Sequence, residues 1–254
     1  MPRYFLEVTY KGTRYNGFQA QQNANTIQAE IEKAFEILRK NSVVMTGSSR
    51  TDTGVHAIQN YLHFDSEEQI DSPFIYKLNA VLPGDIAIRN IFAVGNETHC
   101  RFDAISREYK YYIYRQKNPF LQDRAFYFPY KLNIEIIQQA AEIVKKYTDF
   151  TSFSKRNTQV KTFNCKIMES CWVREGECLV YNVKANRFLR GMVRGLTATM
   201  LKVGRNKISL QEFEETIQLK DCTKASFAVP SHGLFLIAVN YAENSLQPLK
   251  INNR

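Results

Sequence analysis

The chain has 254 residues, is 44% hydrophobic and 23% charged, and carries 17 Phe and 14 Tyr. That composition excludes a mainly disordered chain, and the length supports a core that needs no disulfide or metal staple. No apolar run approaches the ~18 residues of a membrane span; the longest, Leu234 to Val239, is strand-sized.

The net charge of +9 is unevenly placed. Residues 1–105 hold 10 Lys and Arg against 12 Asp and Glu, and residues 106–254 hold 24 against 13. The densest stretch contains Lys184, Arg187, Arg190, Arg194, Lys202, Arg205 and Lys207 with no acid between them. Such a surface either binds a polyanion, most commonly nucleic acid, or only keeps the chain soluble. The five cysteines show no CxxC spacing. No secretory leader is read before the first strand-like residues, so reduced thiols in a cytoplasm are expected.

In chain order, Tyr4–Tyr10 reads as a strand closed by a Lys11-Gly12 turn. A helix is expected over Thr26–Lys40, with Ile27, Ile31, Ala34, Phe35 and Leu38 on one stripe and Asn25 or Thr26 as its N-cap. Val43–Thr46 reads as a short strand, followed by the polar loop Gly47–His56. Tyr61–Phe64 and Ile86–Val94 read as strands, the second preceded by a turn at Pro83-Gly84-Asp85. From about Ala104 the texture turns basic and tyrosine-rich. Tyr109–Tyr114 is a strong strand signal, Ile134–Tyr147 a helix, and Ile167–Arg174 with Cys178–Lys184 a hairpin. Helices are expected over Arg187–Val203 and Leu210–Leu219, and a last strand over Leu234–Tyr241. The order is that of an α+β protein with largely antiparallel sheet. Two related α/β lobes are expected, 1–105 and 106–245, with a frayed tail over 246–254.

Two features carry chemistry. On a helix over Arg187–Val203, the arginines 187, 190 and 194 would fall within about 60° of one another. They form either a solvated face or an inward reach toward a carboxylate or phosphate, for which the guanidinium fork is suited. In the loop Gly47-Ser-Ser-Arg-Thr-Asp-Thr-Gly-Val-His56, Asp52 is either a plain Asx turn or a nucleophile or base on a rigid turn. Asp52-Thr-Gly54 also spells the aspartic-protease tripeptide. A protease needs two such carboxylates, which only a symmetric dimer of this chain could supply.

The loop Arg50-Thr-Asp-Thr-Gly-Val-His56 resembles the signature of the A-type tRNA pseudouridine synthases, the TruA family. Further segments resemble the family in its order: Tyr10–Gln19, Leu78–Ala87, Phe102–Tyr111, Asp149–Phe153, Asn186–Arg194 and Ala228–Leu236. They span residues 4 to 241. Lys11, Phe18 and Ser49 depart from the family's usual aspartate, tryptophan and glycine, and Val229 precedes Pro230 where alanine is usual.

The resemblance implies the pseudouridine synthase fold, with two lobes about a central cleft. It implies isomerisation of uridine at tRNA positions 38, 39 and 40 in the anticodon stem-loop, by a homodimer in the cytoplasm. Asp52 matches the nucleophile, Arg194 the arginine that pairs with it, and Tyr109 the active-site tyrosine. Arg50 is expected at the flipped nucleotide or its phosphate, and Arg107, Lys110, Arg187 and Arg190 on the RNA backbone. The reaction has no redox change and needs no energy source, so no cofactor is expected. His56, His63, His99 and His232 are scattered, and no metal site is read from them. The competing class is an RNA-binding protein of the same fold without catalysis.

Overall fold

The computed structural model describes residues 1–156, 160–243 and 245–249. In chain order the elements are β1 (Arg3–Tyr10), α1 (Ile27–Arg39), β2 (Thr46–Gly47), β3 (His56–Asp65), α2 (Pro73–Val81) and β4 (Ile86–Val94). Then come β5 (Ser106–Tyr114), β6 (Phe126–Tyr127), α3 (Ile134–Val144), β7 (Ile167–Glu175), β8 (Cys178–Ala185), α4 (Met192–Gly204), α5 (Leu210–Gln218), β9 (Leu234–Asn240) and β10 (Gln247–Pro248). The chain forms two compact units, one of Met1–Ile105 with the chain from Leu236 onward, the other Ser106–Phe235. The architecture is α+β; β1 with β3 and β4, β4 with β10, β2 with β3, and β8 with β5 and β7 pair antiparallel, and β5 pairs with β6 in parallel.

In the first unit the strands run β10-β4-β1-β3-β9, with β2 on β3. β1 is central, and Leu6 lies opposite Leu62 on one side and Ile91 on the other. Flanked on both edges, its middle is buried on both faces, so Phe5, Leu6 and Val8 are all solvent-free. α1 and α2 cover the sheet through Phe35, whose ring meets those of Phe64 and Phe74 edge-on at 4.9 and 5.0 Å. Thr26 caps α1 by accepting from the Ala29 N–H, which contributes about 1 kcal/mol. The last two described strand residues, Gln247 and Pro248, pair with Ala93 and Phe92. The rest of the expected frayed tail, from residue 250, lies outside the described residues.

In the second unit the strands run β5-β8-β7, so the β7–β8 hairpin meets β5 through β8, and β6 pairs with β5. Helix α3 packs on β7 and on α4 and α5. The α3–α4 approach is close because Gly204 lies against Ile137, where a Cβ would stand 2.4 Å from the isoleucine methyl. A capping box between Ser209 and Glu212 starts α5.

Three expectations need correction. Helix α2 was not foreseen, although Pro73 at its first turn and the buried pair Phe74 and Leu78 carry a short signal. The strand expected over Val43–Thr46 shrinks to Thr46–Gly47. Met45 gives its backbone N–H to Glu32 and its carbonyl to Gln28, both on α1, so its polar groups are satisfied without a ladder. The helix expected from Arg187 starts only at Met192. Gly191 holds φ +77°, a left-handed conformation that no helix passes through. Among the described residues no helix is long and apolar enough to cross a membrane.

Candidate active site

The loop bearing Asp52 lies in the first unit. It leaves β2 with the Ser48 N–H on the Tyr61 carbonyl at 2.7 Å. Asn60, fully buried, donates to the Ser49 carbonyl at 2.9 Å. The Thr51 hydroxyl meets the Tyr10 hydroxyl at 2.8 Å. The Asp52 carbonyl accepts from the Val55 N–H at 3.1 Å and closes a turn. Asp52 is half-buried and Arg50 exposed.

A strap over residues 10–18 clamps this loop from outside. Phe18 donates its N–H to the Thr51 carbonyl at 3.1 Å, and Gly12 donates to Nδ1 of His56 at 3.1 Å. A Cβ on Gly12 would stand 2.0 Å from the Val55 carbonyl oxygen, so only glycine permits this approach. The strap is itself anchored on Asp85, which accepts from Arg14 at 2.8 Å and from the Tyr15 hydroxyl at 2.6 Å. Burial works against the Asp85 carboxylate, but these hydrogen bonds outweigh it and hold its pKa below the ordinary value. Gly12→Ala is expected to lower stability by about 1–3 kcal/mol through overpacking and to cut activity by loosening the loop. Thermal unfolding and a rate measurement on the one variant check both.

The departures from the family pattern find local answers. Phe18 is solvent-free with its ring against Gly47, so it fills the place of the usual tryptophan. Ser49 is not among the positive-φ residues, which is why a side chain is tolerated there. The buried hydroxyls of Ser48 and Ser49 have no hydrogen-bond partner among the described residues.

The second unit supplies Tyr109 and Arg194. Strand alternation puts Arg107, Tyr109 and Tyr111 on one face of β5 and Glu108, Lys110 and Tyr112 on the other. Tyr109 is half-buried, and Phe188 meets its ring edge-on at 5.0 Å and 84°. Tyr111 is solvent-free and donates its hydroxyl to the Pro230 carbonyl at 2.6 Å. Lys110 lies on the face away from Tyr109 and pairs with Glu175 at 2.6 Å.

Arg194, in the first turn of α4, gives Nε and Nη2 to the Val229 carbonyl at 3.0 and 2.7 Å. Arg187 and Arg190 precede the helix, in the loop between β8 and α4, so the single arginine stripe does not form. Arg107 is buried and donates to the Asn186 carbonyl at 3.0 Å, bracing the start of that loop. The loop's end is held by Lys155, whose N–H reaches the Arg190 carbonyl at 2.9 Å. The basic run is further dispersed: Lys184 pairs with Glu108 at 2.9 Å, and Arg205 stacks 3.7 Å over Tyr130 beyond the far end of α4.

Sequence reasoning passed over Phe188, assigning it to a helix core, and the positioning roles of Asn186, Val229 and the strap. The scattered histidines also need correction. His63 and His99 come together with Cys100, their donor atoms all within 4.8 Å of one another.

The chain matches the tRNA pseudouridine synthase family over residues 7–103 and 147–242. It is 45% identical to a tRNA pseudouridine synthase A of Parabacteroides distasonis, over 96% of this chain and 97% of that one. Identity to the Bacteroides thetaiotaomicron protein of the same name is 40%, over 96% and 92%. For that of Bacillus subtilis it is 36%, over 92% and 97%. The chain belongs to the tRNA pseudouridine synthase A family.

Proposed function

We propose that this tRNA pseudouridine synthase acts on uridines 38, 39 and 40, on the 3′ side of the anticodon stem-loop, with Asp52 as the carboxylate that starts the reaction. The observation carrying this reading is the rigid, strap-clamped Asp52 loop at the family's nucleophile position. The chemistry breaks the bond between N1 of uracil and C1′ of ribose. The base turns, C5 bonds to C1′, the C5 proton leaves and N1 regains one. Asp52 either attacks C1′ or starts deprotonation at C2′, and both routes require the ionised carboxylate. Arg194 supplies the compensating cation. Tyr109 stacks on the extruded base, and its hydroxyl helps remove the C5 proton.

Arg50, Arg187 and Arg190 hold phosphates rather than read base edges, so one enzyme serves several sequences. Tritium released from tRNA labelled at uridine C5 tests the activity; binding without release would favour the non-catalytic reading. Pseudouridine mapping in cells lacking the protein tests the target. Retention of all three modified positions with no paralogue to account for it would overturn the assignment.

The enzyme works as a homodimer in this reading, the basic second units of two copies holding one L-shaped RNA. Light scattering at micromolar concentration is expected to give a dimer mass. Monomers with full activity would overturn it.

A further inference from the structure

The cluster of His63, His99 and Cys100 lies in the first unit and takes no part in the chemistry above. His63 sits on β3, and His99 and Cys100 in the segment that follows β4. The Cys100 thiol lies 3.1 Å from Nδ1 of His63 and 3.1 Å from the Thr46 carbonyl, which accepts from it. The His63 and His99 rings meet edge-on at 4.6 Å. Cys100 is solvent-free and His63 buried, while His99 is half-buried and leaves an approach from solvent.

Bonds that do not involve the donor atoms also hold the backbone that presents them. His99 donates its N–H to the Asp103 carboxylate at 2.8 Å, and Asp103 returns its own N–H to the His99 carbonyl at 3.1 Å. The Cys100 carbonyl accepts from the Tyr241 hydroxyl at 2.6 Å, and the Thr98 carbonyl accepts from Arg3 at 3.1 Å.

We propose that His63, His99 and Cys100 form a binding site for a zinc-class divalent cation. Two imidazoles and a thiolate are the donor set that borderline-soft ions prefer. With metal–nitrogen bonds of about 2.0 Å and metal–sulfur bonds of about 2.3 Å, tetrahedral ligand atoms stand roughly 3.3–3.6 Å apart. The widest separation of 4.8 Å therefore closes by little more than an ångström. Binding displaces the Cys100 thiol from the Thr46 carbonyl at 3.1 Å and competes with the Cys100 N–H at 3.4 Å on His63 and the Arg101 N–H at 3.1 Å on Nδ1 of His99. Binding replaces the Cys100 S–H bond by a sulfur–metal bond, and the proton leaves to solvent. The Asp103 carboxylate beside His99 offsets the charge added, and Arg3 is already matched by Asp65 at 2.7 Å. The bound ion ties the 98–103 segment, which displays the exposed Phe102 ring, to β3.

Cobalt(II) is the probe. The full-length protein, stripped with chelator, is titrated with cobalt and then with zinc. The expected result is one equivalent of tetrahedral cobalt with intense d–d absorption and a sulfur-to-cobalt charge-transfer band, both erased by zinc. Cys100→Ser should abolish the charge-transfer band. His99→Gln, at a half-buried position that leaves the fold intact by circular dichroism, should weaken affinity about a hundredfold. Cys171→Ser should change nothing. A featureless or octahedral spectrum, or a thiolate band that survives Cys100→Ser, overturns the proposal. So does unchanged affinity in a folded His99→Gln.

Discussion

Asp52→Asn is expected to reduce pseudouridine formation by on the order of 10⁴-fold or more, as removal of a nucleophile does, while leaving the fold and tRNA affinity nearly unchanged. Asparagine copies the shape of aspartate but carries no charge, so it neither attacks a sugar carbon nor accepts its proton. Four holds on the loop's path do not use that charge. They are the Tyr10–Thr51 hydroxyl contact, the Asn60 amide on Ser49, the Phe18 N–H on Thr51 and the turn from Asp52 to Val55. Thermal stability is therefore expected to move by no more than about 1 kcal/mol. Single-turnover rates and filter-binding affinities on one preparation make the comparison. Residual activity within tenfold of the parent would remove Asp52 from the chemistry.

Much of this molecule was legible before its coordinates, and the reasons are local. The bounds of β4, and of β9 to within one residue, follow from strand-length apolar runs preceded by turn residues. α1 follows from a clean stripe with a threonine cap. What stayed hidden depended on partners distant in sequence. Val43–Met45 has strand composition, but α1 side chains take the backbone groups of Met45. Residues 187–190 have helical periodicity, but the left-handed Gly191 and the bond from Lys155 hold them in a loop. A periodicity argument cannot see either competitor, because both take hold of backbone groups from segments distant in the chain.

The site divides the same way. The proposed residues Asp52, Tyr109 and Arg194 stand in short motifs that sequence alone can nominate. It cannot nominate what holds them. His56 reads as one more scattered histidine until its Nδ1 is seen to accept from Gly12, 44 residues away. His63 and Cys100 are 37 apart in the chain and 3.1 Å apart in space. Metal-motif spacing rules serve ligands on one hairpin or helix, and these donors come from two separate segments.

Arg194→Lys is expected to slow the chemical step by about 10²–10³-fold, the scale lost with a positioned charge at a reacting centre, with tRNA affinity held. Lysine keeps the charge but loses the planar fork. Arg194 spends Nε and Nη2 on the Val229 carbonyl, which fixes the guanidinium plane. A lysine ammonium can serve that carbonyl or lean toward a carboxylate, but not in the same geometry. The same bonds raise a rival account, in which Arg194 only fastens the turn at Val229 and Pro230. Tyr111 separates the two, because its hydroxyl holds the adjacent Pro230 carbonyl at 2.6 Å. Tyr111→Phe removes an anchor from the same turn without touching the cation, and should cost about 1 kcal/mol of stability. If Arg194 acts through its charge, Arg194→Lys lowers the single-turnover rate far more than Tyr111→Phe does at matched loss of stability. If it acts only through the turn, the two variants lower rate and melting temperature together, and the assignment of Arg194 to the carboxylate fails.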